Sequence, residues 1–337
     1  MDVRRLMYSD AWQLAKSSLW LGHGGETWRQ SYLALQSQPY VGAQVHSGYM
    51  DILLNTGIIG LAIILALIIY MLQRLSAARS IYMPAAAVLS IHAIIDFDWS
   101  FGIVWLLLLW LSIMGLSEES NREKLATQRS IRFVRWRPKG FTFVLLLCLI
   151  VWSSLCAVLG MSELNLQLAS SAPPAKQSAL LKAALRWNPA NVQAAIRLSA
   201  SMPPAQRIDW LRHSLAYAPS HPGLSWELAE SYARTGQSEY AAHWFSASLL
   251  LDRFQASKQT QAIVEMASLS DRYWRAGAYT ESAETAQSAL DLLRRYRQLA
   301  IELSEITPLR NDRDFRVTRL ASRQEERLKK AIEIPVE

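Results

Sequence analysis

Long apolar runs constrain this chain more than any other feature of its sequence. The run Ile52–Leu72 contains no charged residue, and at 1.5 Å per residue it is about long enough to cross a hydrocarbon layer of ~30 Å. Trp99–Leu116 and Phe141–Met161 are comparable, and each contains tryptophans that suit the headgroup region. Ile81–Ile95 is shorter and contains a proline, a serine and a histidine, so tilt, local thinning of the bilayer or a re-entrant segment remain open. We therefore predict a polytopic bundle of about four spanning helices.

The basic residues of the connecting segments predict the orientation of this bundle. Short cytoplasmic loops are enriched in Lys and Arg. The residues concerned are Arg74 and Arg79 after the first run, and Arg122, Lys124, Arg129, Arg132, Arg135, Arg137 and Lys139 before the fourth. The turn Asp96–Trp99 has no basic residue. We expect a multi-pass cell-membrane protein in which this turn, the residues before Tyr49 and everything after Met161 lie outside the cytoplasm.

The formal net charge of +7 follows from the same pattern. Much of it lies in the connections predicted to face the cytoplasm, where it would anchor the chain to anionic lipid, and we do not predict nucleic-acid binding. The two cysteines, Cys148 and Cys156, lie in the fourth apolar run and are expected to be small buried hydrophobic residues. Their spacing indicates neither a disulfide framework nor a metal site, so no metal or other cofactor is expected.

The second half of the chain consists of short amphipathic segments interrupted by Pro and Gly. Leu228, Ala229, Tyr232, Gly236, Ala241 and Phe245 have a spacing that resembles the tetratricopeptide repeat, although Arg253 stands where the repeat ends in proline. Ala184-Leu185 before Pro189 and Ser214-Leu215 before Pro219 resemble the ends of earlier repeats, and Tyr273, Gly277, Ala283 and Ala289-Leu290 a weaker later one. We predict helical repeats over residues 172–310, after a hinge at Ala169–Pro174.

Stacked helical pairs leave a concave surface on which a protein partner could bind. The alternative is that the array merely caps the membrane part. The remaining residues, 311–337, form a charged tail, and Arg313–Lys330 is expected to be a solvated helix.

Residues 1–48 carry a series of motifs. Arg4 and Arg5 precede an aromatic residue and Asp-Ala, and a Leu-Gly-x-Gly-Gly segment, a Tyr and a Gln-Ser follow. His46 then stands shortly before a helix marked Gly-Ile-Ile-Gly, and His92-x-x-x-Asp96-Phe lies one helix pair further on. This order resembles the O-antigen ligase and polymerase family over about the first 115 residues. The resemblance makes 1–48 an extracytoplasmic catalytic-type loop and 49–161 the closing portion of a membrane domain.

The resemblance implies transfer of a glycan from an undecaprenyl-pyrophosphate donor to a hydroxyl acceptor, without metal or nucleotide. It makes His46 the general base and Arg4 the residue that holds the pyrophosphate. The family also uses an arginine in an earlier external loop, for which this chain has no counterpart. We therefore expect a fragment, or one half of a split enzyme.

Each catalytic assignment has a simpler structural alternative. A histidine beside a helix start is more often hydrogen-bonded or exposed than catalytic, although an imidazole with a pKa near 6.5 can accept a proton from a sugar hydroxyl. Arginines near a terminus are ordinarily surface charges, although a guanidinium donates in a bidentate manner to phosphate. By its spacing to Tyr8 and Ala11, Arg4 matches the family better than Arg5, which is given a supporting role.

The remaining candidates concern a loop and a helix face. Gly22, Gly24 and Gly25 could form an anion-binding nest, but a turn that shapes the substrate loop is the commoner use of such glycines, and Trp28 belongs to the same loop. His92 and Asp96 are four residues apart and therefore share a helical face. Either they support catalysis, or Asp96 only orients His92.

Two functions from different classes follow from these observations. The first is the glycan transferase. The alternative is a non-catalytic membrane scaffold whose repeats recruit partners for assembly of the cell envelope.

Overall fold

The computed structural model describes residues 3–126, 139–306 and 315–333, and every regular element in these ranges is helical. One compact unit contains α1 to α5 and the other contains α6 to α14. The first unit comprises α1 (Val3–Ser17), α2 (Thr27–Leu35), α3 (Gly48–Ala77), α4 (Met83–His92), a 3₁₀ turn (Asp98–Ser100) and α5 (Gly102–Ala126). The second comprises α6 (Lys139–Ser171), α7 (Pro174–Trp187), α8 (Val192–Ser199), α9 (Pro204–Leu215), α10 (Pro222–Arg234), α11 (Ser238–Leu251), α12 (Ala256–Arg275), α13 (Tyr279–Ser304) and α14 (Arg319–Glu333). The predicted all-α class is confirmed for these ranges.

The four-crossing bundle is not confirmed. Of the residues that the structure describes, only α3 forms a helix long and apolar enough to cross a membrane. Helix α4 has ten residues, which reach only ~15 Å at 1.5 Å per residue. The apolar part of α5, Gly102–Gly115, is also short of a full span. The fourth predicted run lies in α6, but many of its side chains, and the basic connection 127–138, fall outside the described residues.

Helix α3 is broken at Gly57, whose backbone has φ 67° and ψ −171°. A Cβ at this position would lie 2.2 Å from the carbonyl oxygen of Trp20, so only glycine fits. The loop after α1 fills the break. The amides of His23 and Gly24 donate to α3 carbonyls at 2.9 and 3.0 Å, and the amide of Ile58 donates to the Leu19 carbonyl at 2.8 Å. The polar groups that the break releases are thereby satisfied by a neighbouring segment.

A buried carboxylate joins α1 to the segment that leads to α3. The Asp10 carboxylate accepts hydrogen bonds from the Ser37 amide at 2.9 Å, the Ser37 hydroxyl at 3.1 Å and the Tyr40 hydroxyl at 2.9 Å. Burial, together with the charge of Asp10, raises the pKa of Tyr40 well above its ordinary value. Ala11 beside it is completely buried against the same core. The Asp-Ala element of the N-terminal motif therefore has a structural role.

Helices α6 to α13 pack against their neighbours in sequence, most closely as the pairs α6–α7, α10–α11 and α12–α13, and helical pairs of this kind are what the repeat pattern predicts. Gly236 and Gly277 occupy equivalent turns, between α10 and α11 and between α12 and α13, with φ values of 76° and 78°. The core of this unit is formed by inward-facing side chains from consecutive helices, among them the Trp226 and Phe245 rings, whose centroids are 4.9 Å apart.

The helical array begins before residue 172. Ala169 lies inside α6 and is buried with Leu166 against α7, so the predicted hinge is reduced to the short turn between the two helices. The side-chain amide of Asn191, the residue before α8, donates to the Ser162 hydroxyl at 3.0 Å. This bond connects the start of α8 to α6.

The C-terminal segment differs from the expected solvated tail. Phe315, Ala321 and Leu328 are buried in the core of the repeats. The Tyr296 hydroxyl donates to the Arg316 carbonyl at 2.6 Å, which fixes the approach to α14. Ala321 and Leu328 are two helical turns apart, and this apolar stripe lets a highly charged helix cover α12 and α13.

Candidate active site

The backbone around His46 is held from several directions. His46 has a left-handed φ of 51°, an uncommon conformation for a residue with a side chain. The Tyr8 hydroxyl donates to the His46 carbonyl at 2.5 Å. The amide of Gly48 donates to the carbonyls of Ala93 at 2.8 Å and Asp96 at 3.0 Å. These bonds hold the residue before α3 against the turn that follows α4, and surrounding structure of this kind is what maintains an unfavourable backbone conformation.

Gly48 allows this close approach. A Cβ there would lie 2.9 Å from the Cβ of Trp99, which is buried under the start of α3. The Ser47 hydroxyl caps the helix by accepting from the Met50 amide at 3.3 Å. The local geometry therefore accounts for the two residues that follow His46.

His46 faces a carboxylate contributed by a distant part of the chain. Its Nδ1 is buried and lies 3.7 Å from Oδ1 of Asp96. The imidazole also packs edge-on against Phe97, with ring centroids 5.1 Å apart. A hydrogen bond from the Phe97 amide at 2.8 Å, with a smaller contribution from His46, lowers the pKa of Asp96. Asp96 is therefore an anion at neutral pH.

Arg4 lies at the same turn. Its Nη1 is 3.5 Å from the carbonyl oxygen of Ile95, next to Asp96, and the guanidinium is exposed. Tyr8, which bonds to His46, stands one turn further along α1. The structure thus brings Arg4, His46 and Asp96 together. Arg5 is exposed, and at ~100° per residue it points in another direction from α1.

The Asp96 amide donates to the His92 carbonyl at 3.1 Å, which continues the helical turn beyond the end of α4 and keeps the two residues close. The partner of the His92 imidazole is Asp98, whose Oδ2 is paired with His92 Nδ1, whereas Oδ1 of Asp96 lies 3.7 Å from Nδ1 of His46. The supporting role of His92 and Asp96 stays a prediction. The ligand atoms of His92, Asp96 and Asp98 lie within 4.8 Å of one another, so these three residues could hold a cation.

The glycine segment forms a turn. The amide of Gly22 donates to the Ser18 carbonyl at 2.9 Å and that of Gly24 to the Asn55 carbonyl at 3.0 Å, so neither is available to an anion. Gly22 has φ +69°, and a Cβ there would lie 2.5 Å from the backbone of Asn55, whereas a Cβ on Gly25 would meet nothing within 4 Å. Trp28 is 1% exposed and belongs to the core of this unit. Gly22, Gly24 and Trp28 therefore make contacts that stabilise the loop and its packing.

Sequence reasoning missed three contributors to this arrangement. Asp98 was a visible candidate because it stands two residues from Asp96 in an acidic turn. Gly48 and the bond from Tyr8 to the backbone of His46 depend on contacts between distant segments, and the sequence carries no local signal for them.

The comparisons with known proteins agree with the N-terminal motifs. Residues 1–65 match the model of the O-antigen ligase family. This segment contains Arg4 and His46 but ends before Asp96, and it is shorter than the 115 residues over which the motifs extend. No curated protein matches the chain. Two crystal structures of MamA are similar to parts of it. One is 10% identical with a TM-score of 0.29 and covers 51% of this chain and 88% of MamA; the other is 12% identical with a TM-score of 0.26 and covers 47% and 87%. The resemblance inferred from the motifs is therefore confirmed for residues 1–65, which match the O-antigen ligase family model.

Proposed function

We propose that the chain takes part in glycan transfer from a polyprenyl-pyrophosphate donor, of the undecaprenyl type, to a hydroxyl acceptor at the cell membrane. The observation that carries this proposal is the meeting of His46 with Asp96 and Arg4. These residues come from three separate segments, and each of them belongs to the motifs that carry the family resemblance. The family match supports a function related to glycan transfer.

His46 is the general base in this proposal. In this proposal Nδ1 of His46 faces the Asp96 carboxylate, and the Nε2 lone pair accepts the proton of the acceptor hydroxyl. The acceptor oxygen attacks the anomeric carbon of the donor as its proton passes to Nε2. The bond from that carbon to the pyrophosphate oxygen breaks, and the polyprenyl pyrophosphate leaves with the electron pair. Asp96 stabilises the imidazolium that forms.

Arg4 supplies positive charge for the leaving group. A guanidinium can donate two parallel hydrogen bonds to phosphate oxygens and stays protonated throughout. Its exposed position beside the Ile95 carbonyl, next to Asp96, supports this role. His92 with Asp98 forms a neighbouring pair that supports the turn, and Arg5 is a secondary source of charge.

A second function, binding of a protein partner, is supported by a trough on the repeat unit. It has a volume of about 320 Å³ and lies on α11 and α13, with Leu250 67% exposed at its surface. Arg253, Arg295 and Glu302 line it together with leucines, glutamines and a serine. This surface suits an extended peptide with apolar and charged side chains, and it is the observation that favours the scaffold.

Single substitutions test the catalytic proposal in cells that supply the remaining part of the ligase. We expect His46→Ala to lower glycan transfer by ~10² to 10⁴-fold, the usual contribution of a positioned base. Asp96→Asn should also lower it, because an amide cannot stabilise the imidazolium. Arg4→Lys should fail substantially, because an ammonium keeps the charge but loses the bidentate geometry.

A matched control is available in the same N-terminal region. His23→Ala removes an exposed imidazole that bonds to the Ser17 side chain at 2.9 Å. This variant should retain most of the transfer at normal expression and membrane insertion. Wild-type transfer by the His46→Ala protein would contradict the catalytic proposal. Loss of function only on deletion of residues 172–337 would favour the scaffold.

A further inference from the structure

The loop that fills the break in α3 lies along a membrane-spanning helix. Its residues Leu19 to Gly24 exchange backbone hydrogen bonds with the α3 residues between Leu54 and Ile59. The approach is as close as a backbone permits, since Gly22 and Gly57 each lie too near the opposite backbone for any side chain. The loop is therefore fixed to α3 at this level.

The α3 residues that bond to the loop lie within the apolar part of the helix. The charge-free segment begins at Ile52, so the bonded residues lie two to seven positions inside it. At 1.5 Å per residue, this corresponds to ~3–10 Å below the start of the hydrocarbon layer. Non-helical backbone is tolerated at such depth only where its polar groups are satisfied by protein. The carbonyls of Leu19 and Trp20 and the amides of His23 and Gly24 meet this requirement.

The side chains of the loop have the character of a lipid-facing surface. Trp20 and Leu21 are 66% and 73% exposed. They adjoin Ile58 and Ile59, which are 38% and 49% exposed on the spanning helix. An apolar patch of this kind is unfavourable in water, whereas a tryptophan and aliphatic neighbours are the usual composition of the membrane boundary.

We propose that Leu19–Leu21 is embedded in the bilayer, with Trp20 and Leu21 in contact with lipid at the boundary between headgroups and acyl chains. In this proposal Leu19–Leu21 attaches the N-terminal region to the membrane in addition to α3. The partner is the lipid bilayer itself. The inference depends on α3 crossing the membrane and is independent of the catalytic proposal, because no transfer step enters it.

Spin labelling tests the proposal on the full chain. In a cysteine-free protein (Cys148→Ser, Cys156→Ser), Leu21→Cys is labelled with a nitroxide and reconstituted into phosphatidylcholine and phosphatidylglycerol vesicles. Collisions with oxygen, which partitions into lipid, and with a water-soluble nickel chelate are measured by power saturation. Ile63→Cys, at a position 56% exposed on α3, provides the lipid reference. Ser9→Cys, at an exposed position of α1, provides the aqueous reference.

We expect the Leu21 label to resemble the Ile63 label, with oxygen collisions exceeding nickel collisions several-fold. Trp20→Cys should give the same result and guards against a local disturbance at one site. Nickel collisions as frequent as at Ser9 would show that the loop is in water and would overturn the proposal. Low accessibility to both reagents would show a surface covered by protein and would overturn it equally. Loss of transfer in the His46 variants has no bearing on this measurement.

Discussion

A histidine caps α10 where serine, threonine, aspartate or asparagine is usual. The Nδ1 of His221 accepts hydrogen bonds from the amides of Gly223 at 3.1 Å and Leu224 at 3.4 Å. The cap therefore requires an unprotonated Nδ1. Burial, and secondarily the charge of Lys258, lowers the pKa of His221 below its ordinary value. Folding thus favours the neutral ring.

This cap predicts that the repeat unit is destabilised by acid. Because the folded pKa of His221 is lower than the unfolded one, its stabilising effect is complete above about pH 6.5 and is lost as the pH falls through the folded value. His221→Asn keeps a capping oxygen that does not titrate in this range, and should flatten the pH dependence. Thermal unfolding followed by circular dichroism between about pH 7.5 and about pH 5 would measure it. An equal loss of stability in wild type and variant would contradict the prediction.

The candidate catalytic residues show how far sequence reasoning reaches at this scale. Arg4 and His46 were identified because the family motif specifies both, and the structure places them in one cluster. The pairing of the His92 imidazole with Asp98 was not predicted, because Asp98 lies beyond the four-residue spacing on which the sequence argument depends. The contact between His46 and Asp96 joins residues fifty positions apart, and no local pattern encodes it.

Among the elements, α14 gives a direct test of packing. Leu328 is 1% exposed and completes the core formed with α12 and α13, whereas Leu320 on the same helix is 51% exposed. Leu328→Ala should destabilise this end of the array by ~2–5 kcal/mol, the usual cost of a large-to-small change in a core. Leu320→Ala is the matched control and should have little effect.

Hydrogen exchange of the amides in α12 to α14 reports this difference locally. Faster exchange in Leu328→Ala, with wild-type exchange in Leu320→Ala, is the expected result. Equal exchange in the two variants would mean that α14 is a solvated tail after all, as its charge content had indicated.

The sequence predicted two other elements, α3 and α14, only in part. The spanning helix at Ile52–Leu72 was predicted within α3 because an apolar run of that length has few alternatives. Its break at Gly57 was not predicted, because the break depends on a loop more than thirty residues earlier that supplies the missing hydrogen bonds. The burial of α14 was missed because charged residues outnumber its apolar stripe.

At the scale of the whole molecule, the topology remains a prediction that labelling can test. In the cysteine-free protein, Ser220→Cys is exposed in the turn before α10 and should react in intact cells with a membrane-impermeant thiol reagent. Ser130→Cys, in the basic connection outside the described residues, should be protected, because such segments stay in the cytoplasm. Reaction at Ser130 with protection at Ser220 would reverse the proposed orientation.

The continuity of α6 has a mechanical consequence. This helix runs without interruption from the fourth apolar run to Ser171, and its last turns are part of the repeat core. A flexible linker would let the repeats rotate freely and would not transmit a force applied to them. A continuous helix transmits that force, so a protein bound to the array would exert it directly on the apolar part of α6.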